Sequence, residues 1–183
     1  MAKIREQLLF LCQDYKRQTG SKKLRMIYLW MGRASVGIFI YRIERMMYLF
    51  LGENWKMIRL FFLPFIYPLS AYSNLEISYK ADIGPGITVL HASMGVVISA
   101  FAKIGKNLTL TGGNVIGGKK EVREGKKFVI GDNLNMGANA VILGPVVLGD
   151  NIIIGAMTLV NKNFDSNCIL VGVPAKKISK DKS

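Results

Sequence analysis

An aliphatic residue returns at every sixth position through the second half of the chain. The series runs Ile98, Ile104, Leu110 and Ile116, breaks, and resumes as Ile130, Met136, Ile142, Leu148, Ile154 and Val160. The residue after each beat is usually glycine: Gly105, Gly117, Gly131, Gly137, Gly149 and Gly155. Helices repeat near 3.6 residues and strands at two, so neither produces this spacing. A short repeat of this length predicts a parallel β-helix, in which each hexapeptide forms one side of a stacked coil. In an extended side, alternate residues point inward, and the axial position must be aliphatic because it stacks on its copies above and below. The following residue turns the corner, which glycine does most easily. Asn107, Asp132, Asn133, Asp150 and Asn151 fall near other corners, where Asn and Asp tolerate tight turns.

Two slips of phase place loops. Between Ile116 and Ile130 the stretch from Gly117 to Lys127 is polar, charged and flanked by glycine, and reads as an excursion from the coil. Earlier, Ile83 and Val89 keep the beat, but Ile98 arrives nine residues after Val89. That slip falls at Ala92-Ser93-Met94-Gly95, directly beside His91. Irregular loops on a regular scaffold are where sites are built.

Residues 1–75 lack the beat and form a separate N-terminal extension, with the coil at 76–178 and a basic tail at 179–183. The extension predicts helices over 4–17, 23–50 and 54–72, with breaks near Gly20-Ser21 and Gly52-Glu53-Asn54. Its longest uncharged run, Leu60 to Leu75, is shorter than the ~20 apolar residues a spanning helix needs and contains Pro64 and Pro68. One reading is a cap that covers an open end of the solenoid. The other is a segment lying on a membrane surface with its cations at anionic headgroups. Through Arg59 the extension carries twelve basic and four acidic residues, a net +8 of the chain's +13.

The basic balance does not point to nucleic acid, because no recognised DNA- or RNA-binding motif accompanies it. Acidic small ligands or anionic lipids account for it more economically. Cys12 and Cys168 belong to no metal or redox spacing and suggest a reducing compartment. No cleavable signal peptide is visible. The expected location is cytoplasmic, with peripheral contact at the inner face of the membrane as the extension's second reading.

The segment Asp82 to Ile98, with Leu90-His91-Ala92-Ser93-Met94-Gly95 at its centre, resembles the active-site stretch of serine acetyltransferases and their relatives. The similarity continues through Ala102-Lys103-Ile104-Gly105 and Val115-Ile116-Gly117-Gly118. It closes at Val171-Gly172-Val173-Pro174-Ala175-Lys176, which resembles the terminal signature of hexapeptide-repeat acyltransferases. It covers residues 76–178 and not the extension. The resemblance implies a mainly β fold, a left-handed parallel β-helix, which departs from the usual right-handed crossover. It also implies a homotrimer with sites between subunits, and acetyl-CoA as donor. Gly117, Gly118, Ala138 and Ala156 match positions that lie against the donor's pantetheine arm. Lys162 and Lys176, with Lys177, are the candidates for its phosphates.

His91 is the chain's single histidine. O-acetylation needs a base for the acceptor hydroxyl, and neutral imidazole suits that task. One histidine cannot supply the three-histidine zinc site of the γ-class carbonic anhydrase type, so no metal is expected. The serine enzymes carry an Asp immediately before the histidine, where this chain has Leu90, and further histidines where it has Thr111-Gly112-Gly113 and Lys126-Lys127-Phe128. Without that Asp, the orienting of the imidazole falls to a backbone carbonyl, a water or another residue such as Asp82. These departures favour a sugar hydroxyl as acceptor, on a saccharide or glycan precursor of the capsule, exopolysaccharide or lipopolysaccharide type. Serine is the alternative acceptor, and a non-catalytic scaffold binding a partner is the alternative from another class.

Overall fold

The computed structural model describes residues 2–20, 29, 31–118 and 127–178. The hexapeptide segment folds as a left-handed parallel β-helix with three flat faces. Through β13 its strands rotate among the faces in order. One face stacks β1 (Leu75–Ile77), β4 (Val96–Ile98), β7 (Asn114–Gly118), β10 (Val141–Gly144) and β13 (Leu159–Val160). The second stacks β2 (Asp82–Ile83), β5 (Lys103–Ile104), β8 (Val129–Ile130) and β11 (Val147–Leu148). The third stacks β3 (Thr88–Val89), β6 (Thr109–Leu110), β9 (Asn135–Met136), β12 (Ile153–Ile154) and β14 (Ile169–Val171), and ends in β15 (Lys176–Ile178). We call these faces A, B and C. The first strand opens at Leu75, one residue before the start expected at 76.

Every beat residue lies inside. Ile98, Ile104, Leu110, Ile116, Ile130, Met136, Ile142, Leu148, Ile154 and Val160 are all buried. They stack in register, as in Ile98 on Ile116 and Ile142 on Val160. Between faces B and C the corners carry an asparagine ladder. Asn107, Asn133, Asn151 and Asn167 all adopt positive φ, near 60°, which Asn accommodates better than most residues. Each side-chain amide donates to the next, from Asn107 to Asn133 at 2.8 Å, Asn133 to Asn151 at 2.8 Å, and Asn151 to Asn167 at 2.9 Å. At the far end, β14 turns through Gly172-Val173-Pro174 and comes back as β15, antiparallel to it. Ala175 closes the core there and is fully buried.

The extension folds as α1 (Ala2–Thr19), α2 (Arg33–Leu51), a short 3-10 turn at Gly52–Asn54, and α3 (Trp55–Ser73). The helix expected over 23–50 is interrupted, because the chain turns at Met31 and the extended Gly32 starts α2. Residues 23–28 and 30 of that expectation, like residues 119–126 of the excursion, lie outside the described residues. The breaks at Gly20 and Gly52 coincide with positive φ at both glycines. Pro64 and Pro68 sit inside α3 without ending it.

The helices cover the first coil, as the cap reading requires. Ala34, Ile38 and Tyr41 of α2 join the core of the coil. Gly37 permits the approach, since a Cβ there would stand 2.5 Å from the Leu75 side chain. Burial pushes the Tyr41 phenol up to about 12, and its hydroxyl donates to Ala81 O and accepts from Ile83 N. The strongest tie is a fully buried ion pair, Arg42 of α2 to Asp14 of α1 at 2.8 Å. Asp14 also accepts the amides of Gly86 at 2.6 Å and Ile87 at 2.8 Å, while Arg42 donates to the carbonyls of Ile83 at 2.8 Å and Gly84 at 2.7 Å. Two helices and one corner of the coil therefore meet on a single charge pair. Removing one member of a buried pair leaves the other charge uncompensated, at a cost of about 3–5 kcal/mol. Asp14→Ala is expected to lose about that much stability in urea unfolding, whereas Asp132→Ala, from the solvent-accessible pair with Lys106, changes it by about 1 kcal/mol or less from loss of that pair alone.

Candidate active site

His91 sits where face C gives way to face A in the first coil. The three residues that break the beat there, Ala92–Met94, form a 3-10 turn with His91 as its N-cap. The turn is held from several sides. His91 N donates to Thr111 O of the next coil at 2.9 Å. Asn74, the left-handed C-cap of α3, donates from its side chain to Ser93 O at 3.0 Å, and its carbonyl accepts Val96 N at 3.1 Å. Gly112 lies beneath, at φ 140°, where a Cβ would stand 2.5 Å from His91 O and 3.0 Å from the Met94 side chain. Only a residue without a side chain fits, so this glycine sets how closely the second coil supports the histidine turn.

The imidazole itself is exposed. Among the described residues no carboxylate pairs with it. Leu90, beside it, is exposed as well. Asp82 does not orient it: it opens β2 on face B, and its carboxylate pairs with Arg45 at 3.0 Å. Phe128, in the neighbourhood where the serine enzymes resembled above carry histidine, is a core residue 3% exposed, packed against Gly144. Among the described residues no three His, Cys, Asp or Glu side chains gather as a metal would require.

The remaining candidates divide between two edges of the prism. Ala138 and Ala156 lie on the edge between faces C and A, in the third and fourth coils, two and three steps above His91 in the first. Backbone hydrogen bonds run along it from His91 N to Thr111 O, Asn139 N to Gly112 O and Met157 N to Ala138 O. Three coil steps of ~4.8 Å place Ala156 about 14 Å along this edge from His91. Lys176 is near the top of the same edge, paired in register with Val171. Gly117 and Gly118 instead end β7 at the edge between faces A and B. Lys162 follows β13 at that second edge, with its ammonium 5.4 Å from the Phe164 ring centroid. The structure thus brings His91, Ala138, Ala156 and Lys176 to one edge and Gly117, Gly118 and Lys162 to the other.

This division was present in the sequence but hidden by treating all beats alike. Taking the beats in threes assigns each to a face: Val89, Met136 and Ile154 precede the first edge, Ile116 and Val160 the second. A groove of about 870 Å³ lies along face A beside α3 and reaches the histidine turn at Met94 and Gly95. Tyr67, Ser70 and Asn74 border it from the helix side, with Ser99 and Asn114 on the coil. The Ser99 hydroxyl is buried there with no hydrogen-bond partner among the described residues.

No family model matches the chain. Serine acetyltransferase of Helicobacter pylori strain J99 is 34% identical over 110 residues, which is 60% of this chain and 64% of that enzyme. The chain thus spans less than two thirds of the length of this curated relative. In structure, serine acetyltransferase of Neisseria gonorrhoeae in complex with serine superposes with a TM-score of 0.78 at 27% identity, over 96% of this chain and 69% of that one. A serine acetyltransferase in complex with CoA shares the fold, with a TM-score of 0.74 at 21% identity over 97% of this chain and 71% of that one. The structural likeness extends across the helical extension, which the sequence resemblance did not reach. These findings overturn the saccharide acceptor expected from Leu90 and the missing histidines, because the relatives in both sequence and fold are serine acetyltransferases. The chain resembles the serine acetyltransferases, hexapeptide-repeat acyltransferases, in sequence and in fold.

Proposed function

We propose that this chain is an acetyl-CoA-dependent serine O-acetyltransferase with His91 as general base. The observation that carries the reading is the 34% identity to a serine acetyltransferase, joined to an exposed histidine held on a braced turn. His91 accepts the proton of the serine hydroxyl as that oxygen attacks the thioester carbonyl. The C–S bond then breaks, the acetyl group stays on the serine oxygen, and the imidazolium returns its proton to the departing thiolate. Backbone N–H groups of the turn are the donors nearest the developing oxyanion. With Leu90 in place of an acidic neighbour, the backbone bracing of the turn takes over the orienting of the imidazole.

The donor lies along the edge from His91 past Ala138 to Ala156, where small residues let its pantetheine arm approach the backbone. Gly117, Gly118 and Lys162 stand on the other edge of face A. A second copy of the chain is what brings the two edges to one groove, and this supports a homotrimer with three such grooves.

Thiol release from acetyl-CoA in the presence of serine tests the reaction. Serine-dependent release is expected, falling about 10²–10⁴-fold in His91→Ala; equal release by the variant sinks the assignment of the base. Gly112→Ala is expected to lower kcat about 100-fold by displacing the histidine turn and to cost about 1–3 kcal/mol of stability in urea unfolding, because its positive φ and the His91 carbonyl leave no room for a Cβ. Sedimentation equilibrium is expected to return the mass of three chains, and a monomer that remains fully active removes the shared groove.

A further inference from the structure

We propose that the outward face of α3 docks on the surface of an anionic lipid bilayer. The helix packs inward through Trp55, Arg59, Ile66, Ser70 and Ser73, which are buried or half-buried. Its other side presents Met57 at 66% exposure, Phe61 at 83% and Phe65 at 70%, with Leu60, Phe62 and Tyr72 also exposed. At 150–250 Å² per aromatic side chain, Phe61, Phe62 and Phe65 alone show on the order of 400 Å². With their aliphatic neighbours they exceed the few hundred Å² that a soluble surface ordinarily leaves bare. A helix apolar on nearly all sides belongs in an apolar environment.

Charge identifies that environment. No acidic residue occurs from Asn54 to Leu75. Cations stand at both ends of the apolar face. Lys56 is exposed in the first turn. At the other end Arg33, also exposed, lies over the Tyr72 ring at 5.7 Å. Two carboxylates near the helix are engaged, Glu44 with Arg59 and Glu53 with Lys80, while Glu76 lies beyond its end on β1. An aromatic face bracketed by cations matches the boundary between acyl chains and anionic headgroups, where such helices lie in the plane of the surface. Among the described residues no helix is long and apolar enough to cross a membrane, so contact stays at the surface.

The prolines separate this occupant from a second copy of the chain. Pro64 and Pro68, both exposed, lack the N–H that the carbonyls of Leu60 and Pro64 would otherwise accept. A dry protein interface would leave these carbonyls unpaired, whereas the hydrated headgroup layer supplies water to them.

Flotation of the full chain with vesicles tests the proposal, using phosphatidylcholine alone and phosphatidylcholine mixed with phosphatidylglycerol. Binding to the mixed vesicles is expected, weakened by salt. It should fall more than about tenfold in a Phe61→Ser, Phe65→Ser double variant and about fivefold in Lys56→Gln. The two phenylalanines are exposed, so the double variant keeps its circular dichroism spectrum and unfolding midpoint. No binding to mixed vesicles, equal binding to phosphatidylcholine alone, or unchanged binding by the double variant each overturns it. Light scattering on the same variants adds the remaining outcome: loss of a larger assembly without any vesicle binding makes the occupant a second copy and sinks the lipid assignment.

Discussion

The buried pair between Asp14 and Arg42 is the constraint on which the arrangement of the two parts rests. A stacked coil is held by contacts between neighbouring turns, and its first turn has a neighbour on one side only. Here the missing neighbour is replaced by two helices, and the carboxylate and guanidinium supply hydrogen bonds where another coil would have stood. Asp14 takes the corner amides of Gly86 and Ile87, Arg42 takes the carbonyls of Ile83 and Gly84, and each neutralises the other. The same anchorage sets where α2 lies and, through it, where α3 ends. Asn74 at that end holds the histidine turn. The position of His91 thus depends on a charge pair built from α1 and α2.

The coil was legible because its rule is local and repeated. Each hexapeptide solves the same problem, so the beat from Ile98 to Val160 could be read without knowing any tertiary contact, and the burial of all ten residues follows from it. The asparagine corners were legible for the same reason. The cap was not. Asp14 and Arg42 are 28 residues apart, and no period links them. What signal exists is a charge one turn after a core position, Arg42 four residues beyond Ile38 on the same helix face.

The candidate site was legible in part. The histidine and its turn stood out as a slip in the beat, and the structure explains the slip as a 3-10 turn. Gly112 passed unnoticed as a support, because its role depends on which residue of the neighbouring coil lies against it. The acceptor was misread for a different reason. Leu90 and the absent histidines were weighed as evidence about substrate, although a side chain missing from a familiar position says first that its task is done otherwise. In this chain the exposed His91 stands on a turn held by backbone hydrogen bonds and by Asn74.

The asparagine ladder has a consequence for how this molecule can change its length. Every amide in it points the same way, giving to the coil ahead and receiving from the coil behind. An insertion or deletion of one hexapeptide within the stack would move each later asparagine to another corner and leave two amides without partners. Adding or removing a whole turn, three hexapeptides together, keeps every link intact. The fold therefore admits growth and shortening only in quanta of a whole turn.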